Sequence, residues 1–161
     1  MEDWQHDRIG AAQRGTNPTV LMHMRSGFAV FGDTQFLPGY CVLLAAPQVE
    51  QLLDLLFDLR RTFLDDMGLL GEAIMETCHP RRVNYEILGN TDHYLHAHVF
   101  PRYDWETAER RGWGVFSYPV EMWTHQQFHY ANSAFANLRE RIRGALADCM
   151  QRAGAHASST D

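Results

Sequence analysis

Apolar and polar residues alternate in short runs bounded by Gly, Pro, Asp and Ser, the pattern typical of β-strands with one buried face. One run, Tyr40–Leu44, is apolar throughout and predicts a central strand covered on both faces. The predicted strands are Val20–Met24, Phe28–Phe31, Tyr40–Leu44, Val83–Leu88 and Leu95–Phe100.

The spacing of apolar residues changes between the third and fourth of these strands. From Leu52 to Met75, Leu, Phe, Ile and Met recur every three to four residues, with Asp and Arg between them, which predicts a long amphipathic helix. We expect Pro47 to open this helical region, one break near Asp58 or Gly68, and an end at Cys78-His79-Pro80.

The order strand, strand, strand, long helix, strand, strand, helix predicts an α+β fold. It consists of a five-stranded antiparallel sheet with one long helix after the third strand and a C-terminal helix. Thr124 is a favourable N-cap for that last helix, which we expect to reach Met150. Residues 1–16 form a polar lead-in, residues 17–150 a single domain, and residues 151–161 a flexible tail.

Composition narrows the classes of function. A chain of 161 residues with 45% hydrophobic content suits one soluble domain. Its formal net charge of −6 argues against non-specific nucleic-acid binding. All 14 basic residues are arginine, which excludes a catalytic lysine, a Schiff base and a phosphate loop ending in Lys-Ser or Lys-Thr.

Cysteine usage and hydropathy indicate the compartment. Cys41, Cys78 and Cys149 are odd in number and form no Cys-x-x-Cys pair, which fits free thiols in a reducing compartment. No apolar run approaches the ~20 residues of a membrane helix. Met1–Gly15 lacks the apolar centre of a secretory signal, so we expect a cytoplasmic protein that does not bind membranes.

The fifth predicted strand carries the candidate chemistry. An extended backbone places Tyr94, His96 and His98 on one face. Imidazole exchanges protons near neutral pH and can attack phosphorus to form a covalent intermediate. The intervening residues face the opposite, buried side: Leu95, Ala97 and Val99.

Groups that could hold an anion flank this strand. The turn Gly89-Asn90-Thr91 supplies an amide, a hydroxyl and backbone N–H groups before the strand, and Arg102 follows it. Such donors can neutralise charge that develops in a transition state, so this phosphate site requires no metal and no cofactor.

Other histidines allow other interpretations. A lone strand histidine is more often structural, and His93 falls on the opposite face or at the strand entrance. His125 and His129 are four apart in a predicted helix and could complete a metal site with His96 and His98. Gln126 stands where a metalloprotease motif has Glu, which argues against that alternative. The remaining histidines have no partner pattern: His6, His23, His79 and His156.

An aromatic cluster lies between the fifth strand and the last helix. It could stack a nucleobase or cover a subunit interface, and ordinary packing or an interface is the favoured interpretation. Its members are Tyr103, Trp105, Trp113, Phe116, Tyr118 and Trp123.

The segment Tyr94–Arg102 resembles the signature of the histidine triad superfamily, His-φ-His-φ-His-φ-φ, often continued by Pro-Arg. Gly89-Asn90-Thr91 resembles the Gly-Gln-Ser/Thr turn of that family. Phe36–Tyr40 resembles its Pro-Gly-His strand entrance. The resemblance covers about Val20 to Tyr103.

The resemblance implies a homodimer that binds a nucleotide and hydrolyses or transfers a nucleoside monophosphate. The family's substrates include dinucleoside polyphosphates and nucleoside phosphoramidates. By position, His96 matches the nucleophile that forms a nucleotidyl-histidine, His98 the supporting histidine, and Asn90 the phosphate-holding amide.

The chain departs from the family pattern at two positions. Tyr94 replaces the first triad histidine, which changes proton handling there. Gly32 aligns with the ribose-binding Asn or Asp, leaving Asp33 as a shifted candidate. Three functions follow: a hydrolase or nucleotidyl transferase acting through His96, a nucleotide-binding module with little or no catalysis, and a histidine metalloenzyme.

Overall fold

A computed structural model describes residues 3–158, with side chains described as far as residue 155. Five strands form one sheet in the order β1-β2-β3-β5-β4, and every neighbouring pair is antiparallel. The strands are β1 (Val20–His23), β2 (Gly27–Phe31), β3 (Cys41–Ala45), β4 (Arg82–Glu86) and β5 (His96–Arg102).

The helices differ widely in length. The α-helices are α1 (Asp3–His6), α2 (Arg8–Gln13), α3 (Phe57–Cys78), α4 (Ala108–Arg111), α5 (Val120–Thr124) and α6 (Ala136–Ser158). Short 3-10 turns cover Leu52–Asp54, Val115–Ser117, Gln126–Phe128 and Ser133–Phe135. The predicted α+β fold, with its long helix after the third strand, is confirmed.

The sheet separates two apolar clusters. On one face, α3 and α6 contribute Phe63, Leu70 and Ile142 to a core that includes Leu43 and Ala97 of the sheet. On the other face, the second cluster includes Val42, Leu44 and Phe100. Strand β3 is therefore buried on both sides, as its continuous apolar run predicts.

The long helix begins later than the sequence predicts. Pro47 opens an extended segment instead of a helix, in which the Val49 carbonyl accepts a hydrogen bond from the Leu95 N–H at 2.7 Å. The predicted break falls before Phe57, near Asp58, while Gly68 lies inside α3. The helix ends as expected, because His79 adopts a left-handed conformation (φ 49°) and precedes Pro80.

Pro101 does not stop β5, which corrects the predicted end at Phe100. The pairing of β3 with β5 ends at Cys41 and Val99, so Pro101 has a strand neighbour only on its other side, where it lies opposite Val83. The missing N–H of a proline is tolerated where one side of the strand is unpaired.

The last helix starts at Ala136, so the prediction of a start at Thr124 is wrong. Backbone groups between them bond to the sheet region instead of to a helix. The Gln35 N–H donates to the Phe128 carbonyl at 2.6 Å, and the Tyr130 N–H donates to the Asp33 carbonyl at 3.0 Å. These bonds hold the 104–135 segment over the second apolar cluster.

Helices occur in both terminal regions within the described residues. The polar lead-in contains α1 and α2, which bury Trp4 and Ile9. The predicted tail from Gln151 is helical as far as Ser158. The side chain of His156 and residues 159–161 lie outside the described part. No helix within residues 3–158 has the length and apolar character to cross a membrane.

Candidate active site

The predicted face of β5 exists in the structure. Tyr94 precedes the strand and its ring centroid lies 5.0 Å from that of His96, which lies 4.8 Å from that of His98. The intervening residues Leu95, Ala97 and Val99 are buried in the helix-side core, as the alternation predicts. His93 is exposed in the bend before the strand and lines a second cavity beside Tyr94 and His96.

These three side chains line a cavity of about 310 Å³. That volume is at the lower end of the range for small-molecule sites, about 300–1,000 Å³. Its walls are mostly apolar, with polar groups at Asp33 and Arg8. Phe116 and Trp123 of the aromatic cluster also line it, stacked in parallel with centroids 5.0 Å apart.

A chain of three hydrogen bonds links the polar groups of the site. The Nδ1 atom of His96 lies 2.8 Å from the main-chain carbonyl oxygen of Tyr94. The Nε2 atoms of His96 and His98 are 3.1 Å apart. The Nδ1 atom of His98 lies 2.7 Å from the hydroxyl of Tyr40.

The carbonyl of Tyr94 sets the direction of this chain when both imidazoles are neutral. A carbonyl only accepts, so His96 must carry its proton on Nδ1, which leaves a lone pair on Nε2. His98 then donates from Nε2–H to that lone pair, and its own Nδ1 accepts from the Tyr40 hydroxyl. With both rings neutral, the Nε2 atom of His96 therefore carries a lone pair and no proton.

Local electrostatics support this protonation state. Burial, reinforced by the neighbouring His96, lowers the pKa of His98 to about 3, so His98 is neutral at physiological pH. Burial, together with the Asp33 carboxylate, raises the pKa of Tyr40 well above its ordinary value, so its hydroxyl keeps the proton that it donates. Burial and Asp92 likewise raise the pKa of Tyr94 to about 12.

The residues predicted to hold an anion do not lie together in one site of the structure. Asp33 lines the first cavity, and Arg8 forms two hydrogen bonds to its carboxylate, of 2.9 and 2.5 Å. Asn90 lines a second cavity that also contacts His96. Thr91 is exposed and lines neither of these cavities.

Arg102, which the sequence predicts to bind substrate, bonds to the protein itself in the structure. It is buried, and its guanidinium donates all five N–H groups to the protein. The acceptors are the Glu106 carboxylate, the Asn84 side chain and the carbonyls of Trp113 and Arg110. Arg102 instead fixes the segment that carries Phe116 over the site.

The four-histidine metal site lacks the helix that it requires. His125 and His129 lie on either side of the 3-10 turn Gln126–Phe128, not four apart in a helix. Within residues 3–158, no group of three or more His, Cys, Asp or Glu side chains is arranged to hold a metal ion. The predicted placement of His125 and His129 on one helix is therefore wrong.

Sequence reasoning missed two residues of the site. Tyr40 aligns with the histidine of the family's Pro-Gly-His strand entrance. This alignment could have identified Tyr40 as a site residue. Arg8 gave no signal, because it lies in the N-terminal segment and reaches Asp33 only through the fold. Trp4 lies beneath its guanidinium, 5.0 Å from the ring centroid.

The departure at Gly32 also has a structural reason. A Cβ atom at position 32 would lie 2.2 Å from the ring of Tyr40, closer than any real contact. A side chain such as Asn or Asp at position 32 is therefore incompatible with Tyr40 in this position. The residues at positions 32 and 40 are therefore coupled by packing.

Three solved structures with a similar fold are histidine triad proteins. One from Marinobacter aquaeolei VT8 is 20% identical with a TM-score of 0.65, over 89% of this chain and 96% of that chain. A hypothetical histidine triad nucleotide-binding protein from Sulfolobus tokodaii strain7 is 11% identical with a TM-score of 0.66, over 87% and 91%. A Zn-bound family protein from Mycobacterium smegmatis is 15% identical with a TM-score of 0.63, over 88% and 94%.

The chain therefore has the fold of these histidine triad proteins. No family profile matches the sequence, and no curated protein matches it.

Proposed function

We propose that this chain is a nucleotide-binding histidine triad protein that cleaves at the α-phosphate of a nucleotide through a nucleotidyl-His96 intermediate. The observation that carries the proposal is the directed hydrogen-bond chain from Tyr40 through His98 to His96. It leaves a lone pair on His96 Nε2, at the wall of a cavity of ligand size.

The proposed reaction has two displacements. His96 Nε2 attacks the α-phosphorus, and the bond to the leaving group breaks. His98 releases its bond to His96 and donates its Nε2–H to the phosphoryl group, which stabilises the charge that develops. Water then attacks the phosphorus, frees the nucleoside monophosphate and restores His96. None of these steps requires a metal or cofactor.

The first test is a panel of adenosine and guanosine phosphoramidates and dinucleoside polyphosphates, with release of the nucleoside monophosphate as the readout. The proposal predicts turnover of at least one member. Calorimetry with the nucleoside monophosphates distinguishes this hydrolase from a nucleotide-binding module. Binding of a monophosphate without turnover of any substrate indicates the binding module. A homodimer in the cytoplasm remains part of the proposal, and sedimentation tests the dimer.

Substitution of Tyr94 tests whether its side chain takes part in the reaction. The group of Tyr94 that orients His96 is its main-chain carbonyl, which every residue supplies. We therefore expect Tyr94→Phe to keep kcat within about threefold of the original protein, because no proton on the phenol is needed. A loss of 100-fold or more in steady-state kinetics would show that the phenol acts directly.

Tyr40 is predicted to act as a positioning residue. Tyr40→Phe removes the donor to His98 Nδ1, and we expect a roughly 10–100-fold lower kcat with little change in KM. Nitrogen-15 NMR of the ligand-free protein provides a readout independent of activity. The Nε2–H tautomer of His98 should dominate in the original protein and lose population in Tyr40→Phe.

Tyr85→Phe is the matched control, because Tyr85 lies exposed on the edge strand β4. It should change neither kcat nor the tautomer. An unchanged His98 tautomer in Tyr40→Phe would contradict the assigned direction of the hydrogen-bond chain.

A further inference from the structure

One fully buried polar side chain beside the site has no role in the mechanism above. Gln35 lies in the loop between β2 and β3 and lines neither of the two cavities. Burying an amide costs free energy unless its donors and its acceptor find partners. The partners of the Gln35 amide therefore indicate what this residue does.

The Gln35 side chain bridges the two ends of its own loop. Its Nε2 atom donates to the carbonyl oxygens of Gly32, at 2.9 Å, and Tyr40, at 3.0 Å. Its Oε1 atom accepts a hydrogen bond from the N–H of Gly39 at 2.8 Å. Every partner of the amide is thus a backbone group of this loop, which closes where the Gly32 N–H donates to the Tyr40 carbonyl at 2.9 Å.

These backbone groups are the ones that place the ring of Tyr40. One is the carbonyl of Tyr40 itself, and one belongs to the residue directly before it. The third belongs to Gly32, which lies against the ring, since a Cβ atom at position 32 would be 2.2 Å from the Cδ1 atom of Tyr40. Gln35 therefore holds both the backbone that carries the ring and the backbone that the ring contacts.

The position of this ring matters because the Tyr40 hydroxyl bonds to His98. Its oxygen lies 2.7 Å from the Nδ1 atom of His98. A shift of the hydroxyl by about 1 Å would break this bond, because hydrogen bonds are usually shorter than about 3.2 Å. A misplacement of about 1 Å in a catalytic constellation can lower a rate by about 100-fold.

Other contacts hold the outside of the loop. The main-chain N–H of Gln35 donates to the Phe128 carbonyl at 2.6 Å, and the Tyr103 hydroxyl donates to the Pro38 carbonyl. Neither contact involves the Gln35 amide. Loss of the amide should therefore shift Tyr40 without unfolding the loop.

We infer that Gln35 is a positioning residue whose amide fixes the place of Tyr40, which in turn orients the His98 imidazole. The expected effect on turnover rests on the proposed function. The effect on His98 does not, because it is measured in the ligand-free protein.

Gln35→Met keeps the length of the side chain and removes its three hydrogen bonds. By nitrogen-15 NMR, we expect the Nε2–H tautomer of His98 to lose population, as in Tyr40→Phe. We expect kcat to fall roughly tenfold or more, with KM within about threefold. The double variant with Tyr40→Phe should match Tyr40→Phe alone within about threefold, because both changes remove the same bond to His98, whereas independent effects would multiply.

Gln35→Glu provides a pH profile and decides the question if Gln35→Met does not fold. Its carboxyl keeps an acceptor for the Gly39 N–H. When protonated it also donates to one of the two carbonyls, and when ionised it repels both. Relative to the original protein, kcat and the Nε2–H tautomer should therefore fall as the pH rises from about 5 to about 9.5, a range that covers the pKa of buried carboxyls.

Asp66→Asn is the matched control. Asp66 is also fully buried and accepts hydrogen bonds from Arg25 and Ser26, but it belongs to α3 and lines neither cavity. Its substitution should lower stability and change neither kcat nor the His98 tautomer.

Three results would overturn the inference: an unchanged His98 tautomer in Gln35→Met, no pH dependence in Gln35→Glu relative to the original protein, or kcat losses that multiply in the double variant. Absence of turnover by the original protein would contradict the proposed function instead. The tautomer measurement would still decide the role of Gln35 in that case.

Discussion

His96→Ala should lower turnover of the best substrate by roughly 10⁴-fold or more while leaving the protein folded. No other imidazole on this face can replace the attack by His96 that we propose, because His98 bonds to Tyr40 and faces His96 at 3.1 Å. The ring of His96 is one wall of a cavity and not part of the helix-side core, so its removal leaves the main packing intact. Steady-state kinetics and circular dichroism measure the two effects.

His125→Ala is the matched control, since His125 is an exposed histidine outside the cavity. It should keep full activity. Undiminished hydrolysis by His96→Ala across the substrate panel would eliminate the proposed mechanism. Loss of activity in both variants, reversed by added zinc, would instead revive the metalloenzyme alternative.

Glu106→Ala should destabilise the protein by about 3–5 kcal/mol, the usual effect of removing one partner of a buried ion pair. Glu106 is buried and accepts hydrogen bonds from Arg102, Tyr118 and the Tyr103 N–H. Without its carboxylate, the guanidinium of Arg102 stays buried with two acceptors missing. Urea denaturation monitored by tryptophan fluorescence gives the free energy of unfolding.

Glu140→Ala removes an exposed ion pair with Arg143 and is the control, with an expected change below about 1 kcal/mol. A similarly small change in Glu106→Ala would contradict the assigned role of the buried network.

The same carboxylate makes stability depend on pH. Burial alone would raise the pKa of Glu106, but hydrogen bonds from Arg102 and Tyr118 outweigh it and hold the pKa below its ordinary value of 4.5. A lowered pKa stabilises the folded state above pH 4.5, and this contribution is lost as the pH falls through the folded value. Glu106→Gln should therefore lose less stability than the original protein between pH 5 and pH 3.

The sequence predicted the sheet and the shared face of Tyr94, His96 and His98 because both follow from local alternation. Period two fixes which side chains share a face whatever the tertiary context. The same rule places Arg102 on that face. It cannot reveal that Glu106 and three carbonyl or amide oxygens accept all the hydrogen bonds that the Arg102 guanidinium donates.

Features that depend on distant contacts were not predictable from local patterns. Arg8 reaches Asp33 across 25 residues of sequence, and no spacing rule connects them. The start of the last helix was misplaced because residues 128–130 bond to residues 33–35 instead of continuing a helix. Tertiary hydrogen bonds overrode helix propensity there.

The central claim is that His96 forms a covalent bond to phosphorus, and trapping that adduct tests it most directly. The protein is mixed with a radiolabelled nucleoside phosphoramidate, quenched at alkaline pH within milliseconds to seconds, and digested for peptide mass analysis. The proposal predicts one added nucleoside monophosphate on the peptide containing His96, absent from His96→Ala. Turnover without any adduct, or an adduct on another residue, would contradict it.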